Sequence, residues 1–202
     1  FDLFVARYLP NGALDSSFAE SGYYSLQYKG RSRSIALQND GKIIAAGGDD
    51  KFLLLRLFST GEIDESFGDK GIVLTDFGYS GQILDINLQQ DGKIIAAGRM
   101  NDYSSGLQNM ALARYNPNGS LDSSFSEDGL QNLLIEGYNA EATSVLLDEI
   151  NNKIIIAGSA SKFVVARYNK EGTLNDNYGT GGVQITDFGE PAGGKGAILQ
   201  PD

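Results

Sequence analysis

The chain has 202 residues, 41% of them hydrophobic, with 16 basic and 26 acidic side chains, a net charge of −10 and neither histidine nor cysteine. An acidic surface repels phosphate backbones, and no apolar run approaches the roughly 18 residues that a membrane-spanning helix needs. Without Cys or His there is no thiol nucleophile, no histidine relay, no disulfide framework and no soft ligand set for zinc, copper or haem, so the expected cofactor complement is none.

In chain order, the first predicted strand is "FVARY" at 4–8, followed by the punctuation "NGALDSSF" at 11–18. "IALQ" at 35–38 then leads through Asn39-Asp40-Gly41 into "KIIAAG" at 42–47. Asp-Gly between two apolar runs predicts a β-hairpin, because both turn positions tolerate positive φ. "FLLLRLF" at 52–58, "TGEIDESF" at 60–67 and "GIVLTDF" at 71–77 complete one unit of four strands, here a to d. The same order recurs with "LQQDGKIIAAG" at 88–98, "LARY" at 112–115 and "NGSLDSSF" at 118–125, then with "FVVARY" at 163–168 and "EGTLNDNY" at 171–178. The chain closes on "ILQPD" at 198–202, a copy of strand a without the b strand that follows it elsewhere.

Strands b and c are apolar throughout instead of alternating, which means burial on both faces. A lone meander cannot cover both faces, so its neighbours must. The expected fold is all-β: a β-propeller, or an arc of one, built from four-stranded antiparallel meanders of about 50 residues. The predicted units are 1–32 (partial), 33–80, 81–138, 139–190 and 191–202 (partial). They read as an arc of a longer repeat protein, or as a set whose gap a partner strand fills.

The phrases "ARYNPNGSLDSSF" at 113–125, "LQQDGKIIAAG" at 88–98 and "TDFG" at 75–78 and 186–189 resemble the delta-60 type repeat, a β-propeller repeat of unassigned function. The resemblance covers nearly the whole chain. It implies a bacterial, extracytoplasmic setting (periplasm, outer-membrane associated or secreted) and supplies no catalytic residues. Two positions depart: Asn175 stands where the other units have Asp15, Asp64 and Asp122, and "DEINNK" at 148–153 replaces the Asp-Gly turn with one extra residue.

A guanidinium inside an apolar strand needs a partner, and an Asp follows each of Arg7, Arg56 and Arg114 at eight residues. The expectation is a structural ion pair in each unit: Arg7 with Asp15, Arg56 with Asp64, Arg114 with Asp122. "GEPAGGKG" at 189–196 satisfies a phosphate-loop spacing, but Gly196 replaces the magnesium-binding hydroxyl and a strand copy follows where a helix should begin. "NPNGSLD" at 116–122 offers Asn116, Asn118 and Asp122 to calcium but lacks a bidentate Glu, so it reads as a turn.

The most individual stretch is "RMNDYSSGLQNM" at 99–110, where seven residues are inserted between the b-strand Gly98 and Arg114. Inserted loops on a rigid scaffold tend to carry specificity, which makes Arg99, Met100, Asn101, Asp102 and Tyr103 the candidate binding residues. The leading expectation is a non-catalytic envelope or secreted scaffold for protein partners, perhaps within an outer-membrane secretion or adhesion assembly, with no nucleic-acid partner and no direct membrane insertion. The alternatives are a glycan- or small-ligand-binding propeller and a carboxylate-dependent glycoside hydrolase.

Overall fold

The computed structural model describes residues 2–28 and 30–200, and among them it contains fourteen strands and no helix. The strands are β1 (Leu3–Ala6), β2 (Tyr23–Leu26), β3 (Arg31–Leu37), β4 (Ile43–Gly48), β5 (Phe52–Leu57), β6 (Ile72–Thr75), β7 (Gly81–Leu88), β8 (Ile94–Asp102), β9 (Leu107–Tyr115), β10 (Leu130–Leu133), β11 (Glu141–Asp148), β12 (Lys153–Ser159), β13 (Phe163–Asn169) and β14 (Val183–Thr186). β3–β6, β7–β10 and β11–β14 form three antiparallel four-stranded meanders, and β1–β2 pair as the c and d strands of a half unit. The fold class is thus all-β, as the repeats require.

The a–b hairpins form at both Asp-Gly turns, and of the two turn residues only the glycine uses positive φ. Gly41 and Gly92 carry φ near +83°, whereas Asp40 and Asp91 do not have positive φ. Gln38 N donates to the Lys42 carbonyl and Gly41 N to the Gln38 carbonyl, which is a type I turn closed by a left-handed glycine. Asp40 contributes through its side chain instead, accepting the Lys42 amide at 3.1 Å. In the last unit Asn152 takes the left-handed position at φ 51°.

Burial of b and c on both faces is explained by how the cores are shared. Ala45, Leu53, Leu55 and Leu57 pack with Leu3, Val5 and Phe18 of the half unit before them. Ile44, Ala46, Phe52 and Leu54, from the same two strands, pack forward with Ile83, Ile94, Ala96, Ala111 and Ala113. β8 and β9 divide the same way, with Ile95, Ala97, Met110 and Leu112 facing Val145, Ile154, Ile156 and Val164. Each core lies between two sheets and belongs to neither.

The a strands show the same dependence. Ile86 and Val145 are 6% and 1% exposed, while the matching Ile35 is 60% exposed, because among the described residues only β1 and β2 precede β3. The expected fourth a strand does not form: residues 197–200 join no ladder, and Ile198 is 84% exposed. A strand a is held by its own strand b, and among the described residues no b strand pairs with this one.

Successive units are fastened at one end of the sheets by an arginine. Arg56 Nε donates to Asp64 at 2.8 Å, Nη2 to Ser66 Oγ at 3.2 Å, and Nη1 crosses to the Pro117 carbonyl of the next unit at 2.6 Å. Its face lies 4.5 Å above the Phe67 ring. Arg114 repeats the set with Asp122, Ser124, Phe125 and the Lys170 carbonyl, and Arg7 does so with Asp15, Ser17, Phe18 and the Ser59 carbonyl. A backbone bond runs beside each: Ala19 N to Thr60 O, Gly68 N to Asn118 O, and Ser126 N to Glu171 O. In the last unit Asn175 cannot supply the charge. Arg167 turns to Asp148 at 3.3 Å, and its Nε is buried without a hydrogen-bond partner.

Burial alone would raise the Asp122 carboxyl, but hydrogen bonds from Lys93 and Ser124 and the Arg114 charge outweigh it and hold the group well below the usual carboxylate range. At Asp64 burial is likewise outweighed, by hydrogen bonds from Ser66 and by Arg56, and its pKa is lowered.

Gly119 has φ +90°, and a Cβ there would stand 2.7 Å from Val73 and 3.0 Å from Phe67 of the preceding unit, while Gly12, at φ +85°, meets nothing within 4 Å. Gly12→Ala should therefore cost only backbone strain, about 1–2 kcal/mol, and Gly119→Ala about 1–3 kcal/mol more for overpacking. Equal losses in urea denaturation would contradict inter-unit packing as the source. Removing one partner of the buried Arg114–Asp122 pair should cost about 3–5 kcal/mol. Because the native pKa of Asp122 and Asp64 lies below the unfolded value, their contribution is present above the unfolded pKa of about 4 and is lost as pH falls further. Asp122→Asn should lower stability at neutral pH and flatten the acid limb, and an unchanged acid limb would contradict the assignment.

Candidate functional site

The arginine joints occupy the end of the sheets where the a–b turns lie, since Arg56 pairs across from Ile44 at the start of β4. The opposite end carries the b–c turns and the d–a connections; two units share a Lys–Asp bridge there, Lys51 with Asp76 and Lys162 with Asp187, and the unit between them departs. The seven-residue insertion lies at this end. It does not form a free loop: it lengthens β8 and β9 to nine residues each, with Arg99 opposite Met110, Met100 opposite Asn109, Asn101 opposite Gln108 and Asp102 opposite Leu107.

Ladder periodicity distributes the five candidate residues. Met100 faces inward, is 3% exposed and packs in the core between the second and third units, so it is withdrawn from the contact set. Asn101 braces the hairpin, donating to Ser80 Oγ at 2.6 Å and accepting from Gln108 at 2.9 Å. Asp102 closes the turn by accepting the Ser104 hydroxyl at 2.6 Å and amide at 2.9 Å, and these bonds lower its pKa. Tyr103 is 70% exposed at the tip, its ring edge-on to Tyr79 at 5.8 Å and its hydroxyl 3.1 Å from Ser80. Arg99 turns away from the tip.

Arg99 belongs to a second feature, a polar cleft of about 460 Å³ lined by Arg33, Gln82, Leu84, Arg99, Glu141, Thr143 and Lys195. Each a strand contains a bulge, and the extra residue is Arg33 in β3, Leu84 in β7 and Thr143 in β11. A bulge re-aims one side chain out of the ladder, and all three extra residues line the cleft. Gln82 is 4% exposed, and its amide nitrogen donates to the Gly48 carbonyl at 2.6 Å and to Asp49 at 2.8 Å. Two acceptors on that side fix the amide, so Oε1 faces Arg33 Nη2 at 3.4 Å and Arg99 Nη2 at 3.3 Å. Arg99 Nη1 donates to Glu141 at 3.2 Å, and Lys195 reaches the other Glu141 oxygen at 3.4 Å.

Beneath the cleft Asp85, the residue after the β7 bulge, ties three units together. Its Oδ1 accepts Ser34 Oγ and the Ile86 amide, both at 2.9 Å, and its Oδ2 accepts the Val145 amide at 2.9 Å. Sequence reasoning passed over Asp85, although an acid at a strand position held by Ser34 and Ser144 in the neighbouring units was a readable signal.

The remaining motifs are absorbed by structure. Residues 190–200 contain no helix, and in the phosphate-loop-like stretch Lys195 pairs with Glu141 while the Gly194 carbonyl accepts Thr143 Oγ1. In the calcium-like turn Asn118 accepts the Ser120 amide and hydroxyl, Asn116 donates to Ser120 and Leu121, and Asp122 serves its arginine. Among the described residues no group of three or more acidic side chains stands close enough to hold a metal ion.

A family model described as a domain of unknown function (DUF5122) beta-propeller matches residues 1–18, 38–67, 89–125 and 151–177. These segments hold the b and c strands and the turns of the arginine joints. The cleft residues other than Arg99 fall outside them. No curated protein matches. Among solved structures, a protein of unknown function from Bacteroides caccae is similar over 83% of this chain and 71% of its own, at 11% identity with a TM-score of 0.36.

Proposed function

We propose, from the premise that this chain belongs to the DUF5122 β-propeller family, that it is a non-catalytic scaffold of the bacterial envelope or exterior that engages a protein partner at the hairpin end of its sheets. The observation that carries this reading is the Tyr79–Tyr103 pair: the exposed Tyr103 at the tip of a hairpin of two nine-residue strands, set edge-on to Tyr79 of the preceding d–a connection, on a support braced by Asn101, Ser80 and Gln108. Tyrosine gives large contact area for little conformational entropy, and a braced tip loses little freedom on binding. The setting follows from the resemblance of the repeats, and a role within a secretion or adhesion assembly fits it.

Two further observations support a non-catalytic reading. The recurrent ionisable residues are committed to the joints between units, where Arg56 and Arg114 are nearly fully buried. A glycoside hydrolase needs two carboxyl groups facing each other across its cleft, and among the described residues Glu141 is the single acid lining this one, bonded to Arg99 and Lys195.

Photocrosslinking from a probe at position 105, two residues beyond Tyr103 on the same turn, tests the reading in cells of the source envelope. One defined protein should crosslink, and Tyr103→Ala should weaken its measured affinity about tenfold with the melting temperature unchanged. Absence of a crosslinked protein, or an affinity indifferent to both Tyr79→Ala and Tyr103→Ala, would overturn it.

A further inference from the structure

We propose that the polar cleft is a binding site for a carboxylate-bearing small molecule, with the carboxylate seated between Arg33 and Arg99. The inference goes beyond the protein contact assigned to the hairpin and does not depend on it.

Charge points to an anion. Three cations, Arg33, Arg99 and Lys195, converge on a cleft whose lining holds one acid, in a chain whose net charge is −10. Glu141 is shared by Arg99 and Lys195. Among the described residues Arg33 has no carboxylate partner, and its guanidinium has only the Gln82 oxygen at 3.4 Å. Three cations against one acid leave two positive charges unmatched among the described residues, one of them on Arg33, which suits an anionic ligand.

Geometry points to a carboxylate. Two guanidinium Nη2 atoms reach the same amide oxygen from different strands, at 3.4 and 3.3 Å, distances too long for strong hydrogen bonds. Gln82 Oε1 is a neutral sp² oxygen in a place where two positive forks meet. A carboxylate presents two such oxygens in one plane with a full charge, and guanidinium forks bind that shape with shorter, stronger bonds. The support is rigid: Gln82 is buried and held by Gly48 and Asp49, Asp85 locks the three a strands behind it, and Thr143 is bonded to the Gly194 carbonyl. Solvent reaches the cleft, since the Arg99 and Lys195 side chains are 35% and 84% exposed. Open polar walls suit a hydroxylated ligand such as an acidic sugar better than an apolar acid.

Calorimetric titration of the whole chain with D-glucuronate, D-glucose and inorganic phosphate tests the assignment. Glucuronate should bind at millimolar concentration or tighter and glucose should not. Binding should weaken with salt, as an ion contact at a partly exposed site does. Arg33→Gln should reduce glucuronate affinity at least tenfold while leaving the melting temperature unchanged, because the matching bulge positions already hold Leu84 and Thr143. Tyr103→Ala should leave the titration unaltered. Absence of glucuronate binding, equal binding by Arg33→Gln, glucose binding as strong as glucuronate, or phosphate binding without glucuronate binding would each overturn the proposal.

Discussion

A guanidinium buried in a β-strand has to be fully hydrogen-bonded, and this protein uses that demand to join its repeats. Arg56 and Arg114, buried in β5 and β9, and the half-exposed Arg7 just beyond β1 each reach an Asp and a Ser in their own turn, lie over a Phe, and send one nitrogen to a carbonyl in the following unit. Hydrophobic burial holds the sheets face to face but is indifferent to sliding. The arginine supplies direction, so the register between sheets is set by a hydrogen bond instead of by oily contact alone. The last unit shows what the Asp contributes: with Asn175 in its place, Arg167 turns to Asp148 and one of its nitrogens is left without a partner.

Much of this was legible in the residues. Apolar strands b and c, the recurrent Asp-Gly, and an Asp eight residues after each Arg led to four-stranded meanders with an Arg and Asp facing each other. The bond from Arg56 to the next unit was hidden, because its acceptor is a backbone carbonyl, at Pro117, and a carbonyl leaves no mark on side-chain identity. Met100 was misplaced for a different reason. An insertion read as a loop became a ladder, and period-two alternation then sent one of its residues into the core. The bulges that bring Arg33, Leu84 and Thr143 to one cleft come from an extra residue in each strand, visible only once the register is known.

The two ends of the sheets thereby take different work. One end repeats the same joint and holds much of what the family model matches. The other carries the b–c hairpins and the a-strand bulges, and there the units diverge more: one has a long hairpin with an exposed tyrosine at its tip, and Arg33, Gln82, Glu141 and Lys195 each occur at one place around the cleft. A recurring residue serves every interface alike, whereas a ligand or partner needs its contacts once. Freedom to vary one end follows from rigidity at the other.

Hydrogen exchange at the Gly68 amide, whose bond to the Asn118 carbonyl runs beside the Arg56 joint, tests the central claim most directly. Arg56→Lys keeps the charge but loses the fork that spans both units. The account predicts that Gly68 exchanges at least about tenfold faster in this variant while the Ala96 and Ala113 amides inside the next sheet keep their protection. Unchanged protection at Gly68 would mean that the arginine does not join the units.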